Sequence, residues 1–309
     1  MKIIRFIKDW ALPISMLLGA ALCPLFVFWG EELKSCTSFF TATLIFVMLL
    51  LAFCKVSPRE LRVKPVQLWL LGLQLFFAAA SYLLLVHLNP VVAQGALVCF
   101  IAPTATAAVV ITVKLGGNGT SITSYTMLIN IAVAILVPLV FPLVYDEAQL
   151  GFWRSFSMIL IKVFPLLITP FFLAWLLSKY AKPLHQKLIG LHDLAFYLWA
   201  ICIVVVTAQT LATLITDESA DGNTELMLAG VSLIACCIQF FVGRTVGQRI
   251  DGDSVCGGQA MGQKNTILAI WIALEYLHPL SAVAPGAYVL WQNIFNSWQL
   301  WQKRKKRLS

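Results

Sequence analysis

Charge is what this chain has least of. Asp, Glu, Lys and Arg make up 12% of its residues, where a soluble domain carries about 25%. Stretches such as 65–86 and 194–215 hold no charged side chain at all, and no carboxylate falls deep inside an apolar run. Metal-ligand patterns are missing as well. The eight cysteines (23, 36, 54, 99, 202, 236, 237 and 256) form no CxxC pair, and no histidine stands at ligand spacing. They read as small core residues, so neither zinc nor a disulfide framework is expected. HExxH, GxSxG and the P-loop are absent, as are paired carboxylates within the apolar runs, so no enzyme, no cofactor and no ATP drive is expected. The net charge of +8 comes without any basic-aromatic patch outside the apolar runs, which excludes nucleic acid as a partner.

What is present is apolar: 60% of the chain is hydrophobic and the mean hydropathy is +0.86. Backbone in lipid must satisfy its own hydrogen bonds, as a helix or a closed barrel. The apolar runs are continuous rather than alternating, so they are helices. Proline, glycine and charge divide them into spans at 11–29, 38–54, 66–88, 91–113, 122–145, 157–179, 194–215, 226–247, 257–276 and 282–301. The start, MKIIRFIK and an apolar run, imitates a signal peptide. Leu22 rather than a small residue precedes Cys23, so the segment is read as the first span.

Ten alternating spans put Lys2, Arg5, Lys8, Lys55, Arg59, Arg62, Lys64, Lys114, Lys179, Lys182, Lys187, Arg244, Arg249 and the tail KRKKR on one side. Glu31, Glu32, Asp146, Glu147 and the stretch TDESADGNTE (216–225) fall on the other. Basic loops stay in the cytoplasm, so the expectation is a multi-pass inner-membrane protein with both termini cytoplasmic. KPLHQKLIGLHD (182–193) reads as an amphipathic segment at the membrane surface.

Ten spans divide into five plus five, residues 1–150 and 151–309, and an odd repeat unit gives inverted topology. Pro13 and Pro24 in the first span answer to Pro165 and Pro170 in the sixth. The fourth span is interrupted at IAPTATAA around Pro103, the ninth at GGQAMGQKNT around Gly262. Proline removes an N–H and clashes with the preceding turn, and each glycine weakens a helix by about 1 kcal/mol relative to alanine. Unwound backbone at membrane depth is tolerated only against protein or a water-filled cavity, and matched interruptions in two halves point to a transporter's binding site.

These residues resemble the bile acid:sodium symporter family. AVAPGAYVLWQNIFNS (282–297) is similar to that family's tenth span, IAPTATAAVVITVKLGGN (101–118) to its fourth, and MGQKNT (261–266) to its ninth-span break. The resemblance implies an all-α fold of two inverted five-helix repeats whose two discontinuous helices, spans 4 and 9, cross. It implies a panel domain (spans 1, 2, 6 and 7) and a core domain (spans 3–5 and 8–10). The implied cargo is an organic anion carried by alternating access.

The sodium ligands do not carry over. The family's Ser-Asn pair after the fourth-span proline falls on Ala108 and Val109, and its ninth-span glutamate on Ala260, or on Gln259 if the alignment slips by one. Gln74 matches a remaining sodium-site glutamine, while Lys264 stands where the family has another. A lysine near the bilayer centre costs about 2.5–3.5 kcal/mol. It must meet carbonyls at the break, bind an anionic cargo, or become neutral. An ammonium among carbonyls and Gln74 would stand in for sodium, and this account is preferred to a lysine snorkelling to the surface.

Around it, Gln263, Asn265, Pro103, Thr104 and Thr106 are site candidates, the two threonines either lining the site or satisfying freed backbone. Gln292, Asn293 and Asn296 are expected to bond across helices, and Gln209 to face the cleft between domains. The expected partners are therefore lipid and a small organic anion, with coupling to sodium or protons open. The alternatives are a sodium-coupled symporter with altered ligands and a non-transporting sensor or scaffold that retains the fold.

Overall fold

The computed structural model describes residues 10–56, 62–145, 151–191, 193–217 and 220–308. Lys2, Arg5, Lys8, Arg59, Asp146, Glu147, His192 and part of the 216–225 stretch lie outside them. The described chain is helical and contains no strand. Its helices are α1 (Ala11–Phe53), α2 (Pro65–Leu85), α3 (Pro90–Ile101), α4 (Ala107–Leu115), α5 (Gly119–Val144) and α6 (Phe152–Tyr180). They continue with α7 (Lys182–Gly190), α8 (Leu194–Thr216), α9 (Asn223–Asp251), α10 (Ser254–Gly262), α11 (Thr266–Tyr276) and α12 (Val283–Leu308), the last preceded by a 3-10 turn, Pro279–Ala282.

Among the described residues, seven segments are long and apolar enough to cross a bilayer: the two arms of α1, then α2, α5, α6, α8 and α9. The expected fourth and ninth spans are each two short helices, α3 with α4 and α10 with α11. Helix α12 is 26 residues long but more polar, with Gln292, Asn296 and Gln299 buried along one stripe. Elsewhere the outward faces are apolar, from Phe241 at 71% exposure to Phe28 at 84%. So much exposed apolar side chain requires apolar surroundings.

The arms of α1, Ala11–Gly30 and Glu32–Phe53, meet at Gly30. Its φ of 51° and ψ of −128° suit only glycine. The spans expected at 11–29 and 38–54 leave residues 30–37 between them as a connection. Glu, Leu and Lys are good helix formers, so one glycine makes the bend and the helix resumes directly.

Two packing groups emerge. Helix α1 lies along α8 and also packs on α6, and α2, α3, α5, α9, α10 and α12 pack among themselves. The groups meet where α5 runs beside α6 and where α11 touches α1 and α8. Side chains tie matching helix ends together. At one end, the basic end, Lys64 pairs with Asp251 at 2.7 Å, Asn118 N donates to Asp253 Oδ2 at 2.7 Å, and Lys303 Nζ reaches Lys114 O at 3.0 Å. At the far end Asn89 bonds Thr224, and His278 N donates to Gln94 Oε1 at 2.9 Å.

Candidate functional site

The two broken helices meet at their breaks. Helix α3 ends at Ile101 because Pro103 cannot donate to the preceding turn, and α4 restarts at Ala107. Helix α10 ends at Gly262 and α11 restarts at Thr266, capped by the Asn265 side chain on Leu268 N at 3.3 Å. The freed backbone of one break satisfies that of the other. Ala105 N donates to Gln263 O and Asn265 N to Pro103 O, both at 2.8 Å, making an antiparallel bridge centred on Thr104 and Lys264.

The bridge lies deep in the protein. Thr104, Gln259 and Lys264 are each 1% exposed, and Gln74 and Gln239 are fully buried. Lys264 Nζ donates to Phe100 O at 3.0 Å and to Ala102 O at 2.9 Å, the carbonyls freed where α3 stops. A helix C-terminus carries partial negative charge, so a cation is favoured at that point. Thr104 does the reciprocal: its Oγ1 donates to Ala260 O, near the end of α10, at 2.6 Å.

The reciprocity extends outward. Residues 104 and 264 are 160 positions apart, and several contacts here have a rough counterpart displaced by about that interval, whereas those of Gln292 and Asn296 have none. On one side Gln74 Nε2 donates to Ala102 O at 3.1 Å, while Tyr125 OH donates to Gln74 Oε1 at 3.0 Å. On the other, Tyr288 OH donates to Gly262 O at 2.9 Å and accepts from Gln239 Nε2 at 3.1 Å. Further out, Asn118 N on Asp253 answers to His278 N on Gln94.

Of the residues singled out in the sequence, Pro103, Thr104, Gln263, Lys264 and Gln74 meet at the bridge. Gln74 does not ligate the ammonium; it donates to Ala102 O, which Lys264 also reaches. Gln259 donates to Asn296 Oδ1 at 2.8 Å, and Asn296 in turn donates to Gln263 Oε1. Thr106 and Asn265, half-buried at the starts of α4 and α11, border the break. Two candidates sit elsewhere. Asn293 Nδ2 donates to Val289 O of its own helix, and Gln209 Nε2 donates to Thr37 Oγ1 on α1.

The residues missed are Tyr125, Tyr288 and Gln239, together with the closeness of Gln292 to Lys264. Lys264 N donates to Gln292 Oε1 at 2.8 Å, and Gln292 Nε2 returns to Lys264 O at 3.3 Å. The available signal was a Gln or Tyr inside an otherwise apolar span, since a buried polar side chain needs a partner there.

The glycines of CGGQAMG have a different part from the one the sequence suggests. Gly257 and Gly258 are helical within α10, and the break comes after them, at Gln263–Asn265. A Cβ on Gly257 would meet Gly243 O, and one on Gly243 would meet Gly257 O, so these glycines let α9 and α10 touch backbone to backbone. Gly262 lies against the Phe240 ring.

No protein-family model matches this chain, and no curated protein matches it.

Proposed function

We propose that this protein is a secondary transporter of a small organic anion, working by alternating access, in which the Lys264 ammonium takes the place of a coupling sodium ion. The observation that carries the reading is the fully buried Lys264 Nζ on two freed carbonyls where two broken helices cross. A buried lysine in the membrane costs about 2.5–3.5 kcal/mol. Two hydrogen bonds from a charged donor return about 1.5–3 kcal/mol each, and the α3 terminus adds up to about 2. These contacts offset part of the cost of burying a cation there without a carboxylate partner.

Ala108 and Ala260 are buried and contribute no side-chain oxygen, which supports sodium-independent coupling. The reciprocal contacts about Thr104 and Lys264 support two inverted repeats, 1–150 and 151–309, in a divergent member of the bile acid:sodium symporter family. The α1, α6 and α8 group would be the panel. The rest would be the core, and α3–α4, α10–α11 and α12 would complete ten crossings. Basic residues at one end support cytoplasmic termini in an inner membrane.

The test is uptake of a panel of organic anions into proteoliposomes under imposed ion and pH gradients. The reading expects uptake without sodium. Lys264→Gln is expected to abolish it, with no rescue by added sodium. Sodium-dependent uptake untouched by Lys264→Gln would overturn the role of the lysine. Cargo binding without any gradient-driven accumulation would instead identify a sensor.

A further inference from the structure

At the far end, α11, which also packs on α3 and α12, is fastened to the first packing group by a compact set of polar contacts. Glu275, near the end of α11, accepts from Ser38 Oγ of α1 at 2.6 Å and from Lys162 Nζ of α6 at 2.9 Å. One turn earlier on α11, Trp271 Nε1 donates to Ser38 Oγ at 3.0 Å and to Ser38 O at 3.2 Å. The 3-10 turn that follows packs on α8, where His278 Nδ1 stands 3.9 Å from Asp217. Among the described residues, Lys162 from α6 pairs with Glu275 and Tyr276 follows it in the chain, while His278, shortly after it, faces Asp217 just past the end of α8. The α1 arm brings Ser38, with Glu32 and Lys34 further along it.

Beneath these contacts hydroxyls are left without partners. Thr41, one turn from Ser38 on the same face of α1, is fully buried and its Oγ1 makes no hydrogen bond. The hydroxyls of Tyr276 and Ser281, on α11 and the 3-10 turn, are likewise buried and unpartnered. A buried hydroxyl without a partner carries a desolvation penalty that a greasy side chain of similar shape would avoid.

The basic end is packed differently, although Thr112 of α4 is likewise fully buried with an unpartnered Oγ1. Helices α4 and α10 pack on α2, α5, α9 and α12, and among the described residues neither packs extensively on α1, α6 or α8. Ala107, Val110, Val113 and Lys114 of α4 are exposed. One half of the crossover is sealed against the first group while its counterpart stands free.

We propose that the seam between α11 with its 3-10 turn and α1, α6 and α8 is a second mouth of the transport path, closed in this state and latched through Glu275. The latch rests on the transporter reading for its purpose, but its opening is measured without cargo. Lys162 is 56% exposed and Glu275 23%, so the ion pair is a modest, salt-screened contact, suited to a latch that must release.

The experiment follows a single cysteine, Thr41→Cys, in intact cells after the exposed Cys36 and Cys237 are replaced by Ser. A membrane-impermeant thiol reagent is expected to label it slowly. Glu275→Gln combined with Lys162→Gln is expected to speed labelling about two- to fivefold, the range set by losing a partly exposed ion pair. Ser38→Ala, a milder change, should raise the rate in the same direction, and the exchange Glu275→Lys with Lys162→Glu should restore slow labelling. Ala134→Cys, buried within α5, reports loss of folding. Thr41→Cys rates unchanged in every latch variant would overturn the proposal, and so would parallel labelling of Ala134→Cys. Faster labelling in a protein that transports nothing would leave the latch standing and remove the transporter reading alone.

Discussion

Lys264 and Thr104 hold corresponding places on the two sides of one bridge, yet one is a long cation and the other a short hydroxyl. Each donates to a carbonyl just before the other's break: Thr104 to Ala260 O, Lys264 to Phe100 O and Ala102 O. The asymmetry sets the ranking of two substitutions. Thr104→Val removes one hydrogen bond and should lower stability by about 1 kcal/mol. Lys264→Met removes two hydrogen bonds, leaving Phe100 O without that donor while Ala102 O keeps Gln74, and should cost about 2–3 kcal/mol, less whatever is recovered by no longer burying a charge. Thermal melting in detergent checks the order; a Thr104→Val protein less stable than Lys264→Met would contradict it. Lys264→Arg separates position from charge, because a planar guanidinium does not fit a site shaped for a point-charge ammonium. That variant is expected to transport poorly at every pH tested. The sequence made Lys264 conspicuous because a cation inside an apolar run is costly. It did not make Tyr288 conspicuous, because a tyrosine in a membrane helix is ordinary until its hydroxyl is seen to hold Gly262 O.

Among the elements, α10 is the clearest case of composition serving packing rather than interruption. Gly243 and Gly247 on α9 face Gly257 on α10 at backbone contact. Gly257→Ala should force the helices apart and cost about 1–3 kcal/mol. Gly230→Ala, on the same α9 with open space around the added methyl, should be neutral or stabilise by up to about 1 kcal/mol. Parallel melts of the two variants test the distinction, and equal destabilisation would mean that glycine flexibility, not close approach, matters here. The clamps on the breaks predict a second contrast. Tyr288→Phe and Tyr125→Phe each remove a buried hydroxyl, but Tyr288 donates to the freed Gly262 O directly, whereas Tyr125 acts through Gln74. Tyr288→Phe should therefore be the more damaging, by about 1 kcal/mol, in stability measured by the same melts.

For the whole molecule, the arrangement of helix ends gives a topology test. Lys64, Asp251, Lys114 and Lys303 gather at one end, and Asn89, Thr224, Gln94 and His278 at the other. If the basic end is cytoplasmic, tags at residue 1 and after Ser309 should stay inaccessible in sealed cells, while a cysteine at Asp221 or Gly222 should label from outside. Labelling of either terminus would overturn the orientation. The Asp221 carboxylate is held below the usual aspartate range, chiefly by the Thr224 N–H that it accepts at 2.7 Å. Its contribution to the start of α9 is therefore present above the ordinary aspartate pKa and lost as the pH falls through the lowered one. Protection of the Thr224 amide from exchange, compared between neutral and strongly acidic solution, should decline on acidification, and Asp221→Asn should remove that dependence.

By itself the sequence determined the class of structure and the places where helices fail. Long uncharged runs that are continuous rather than alternating become helices in an apolar solvent, and Pro103 marks the end of α3, although Pro24, Pro138, Pro142, Pro165 and Pro170 lie inside helices that continue. Lys264 was marked by its desolvation cost alone. Only the tertiary structure decided what the exposed backbone at each break would do, because its partner lies 160 positions away and no local pattern encodes a hydrogen bond over that separation. It likewise decided that Gln209 belongs with Thr37, that Gln292 belongs with Lys264, and that Gly257 meets Gly243. Helical periodicity fixes which face a side chain occupies, but the identity of the neighbour across that face comes from the packing of helices distant in the chain.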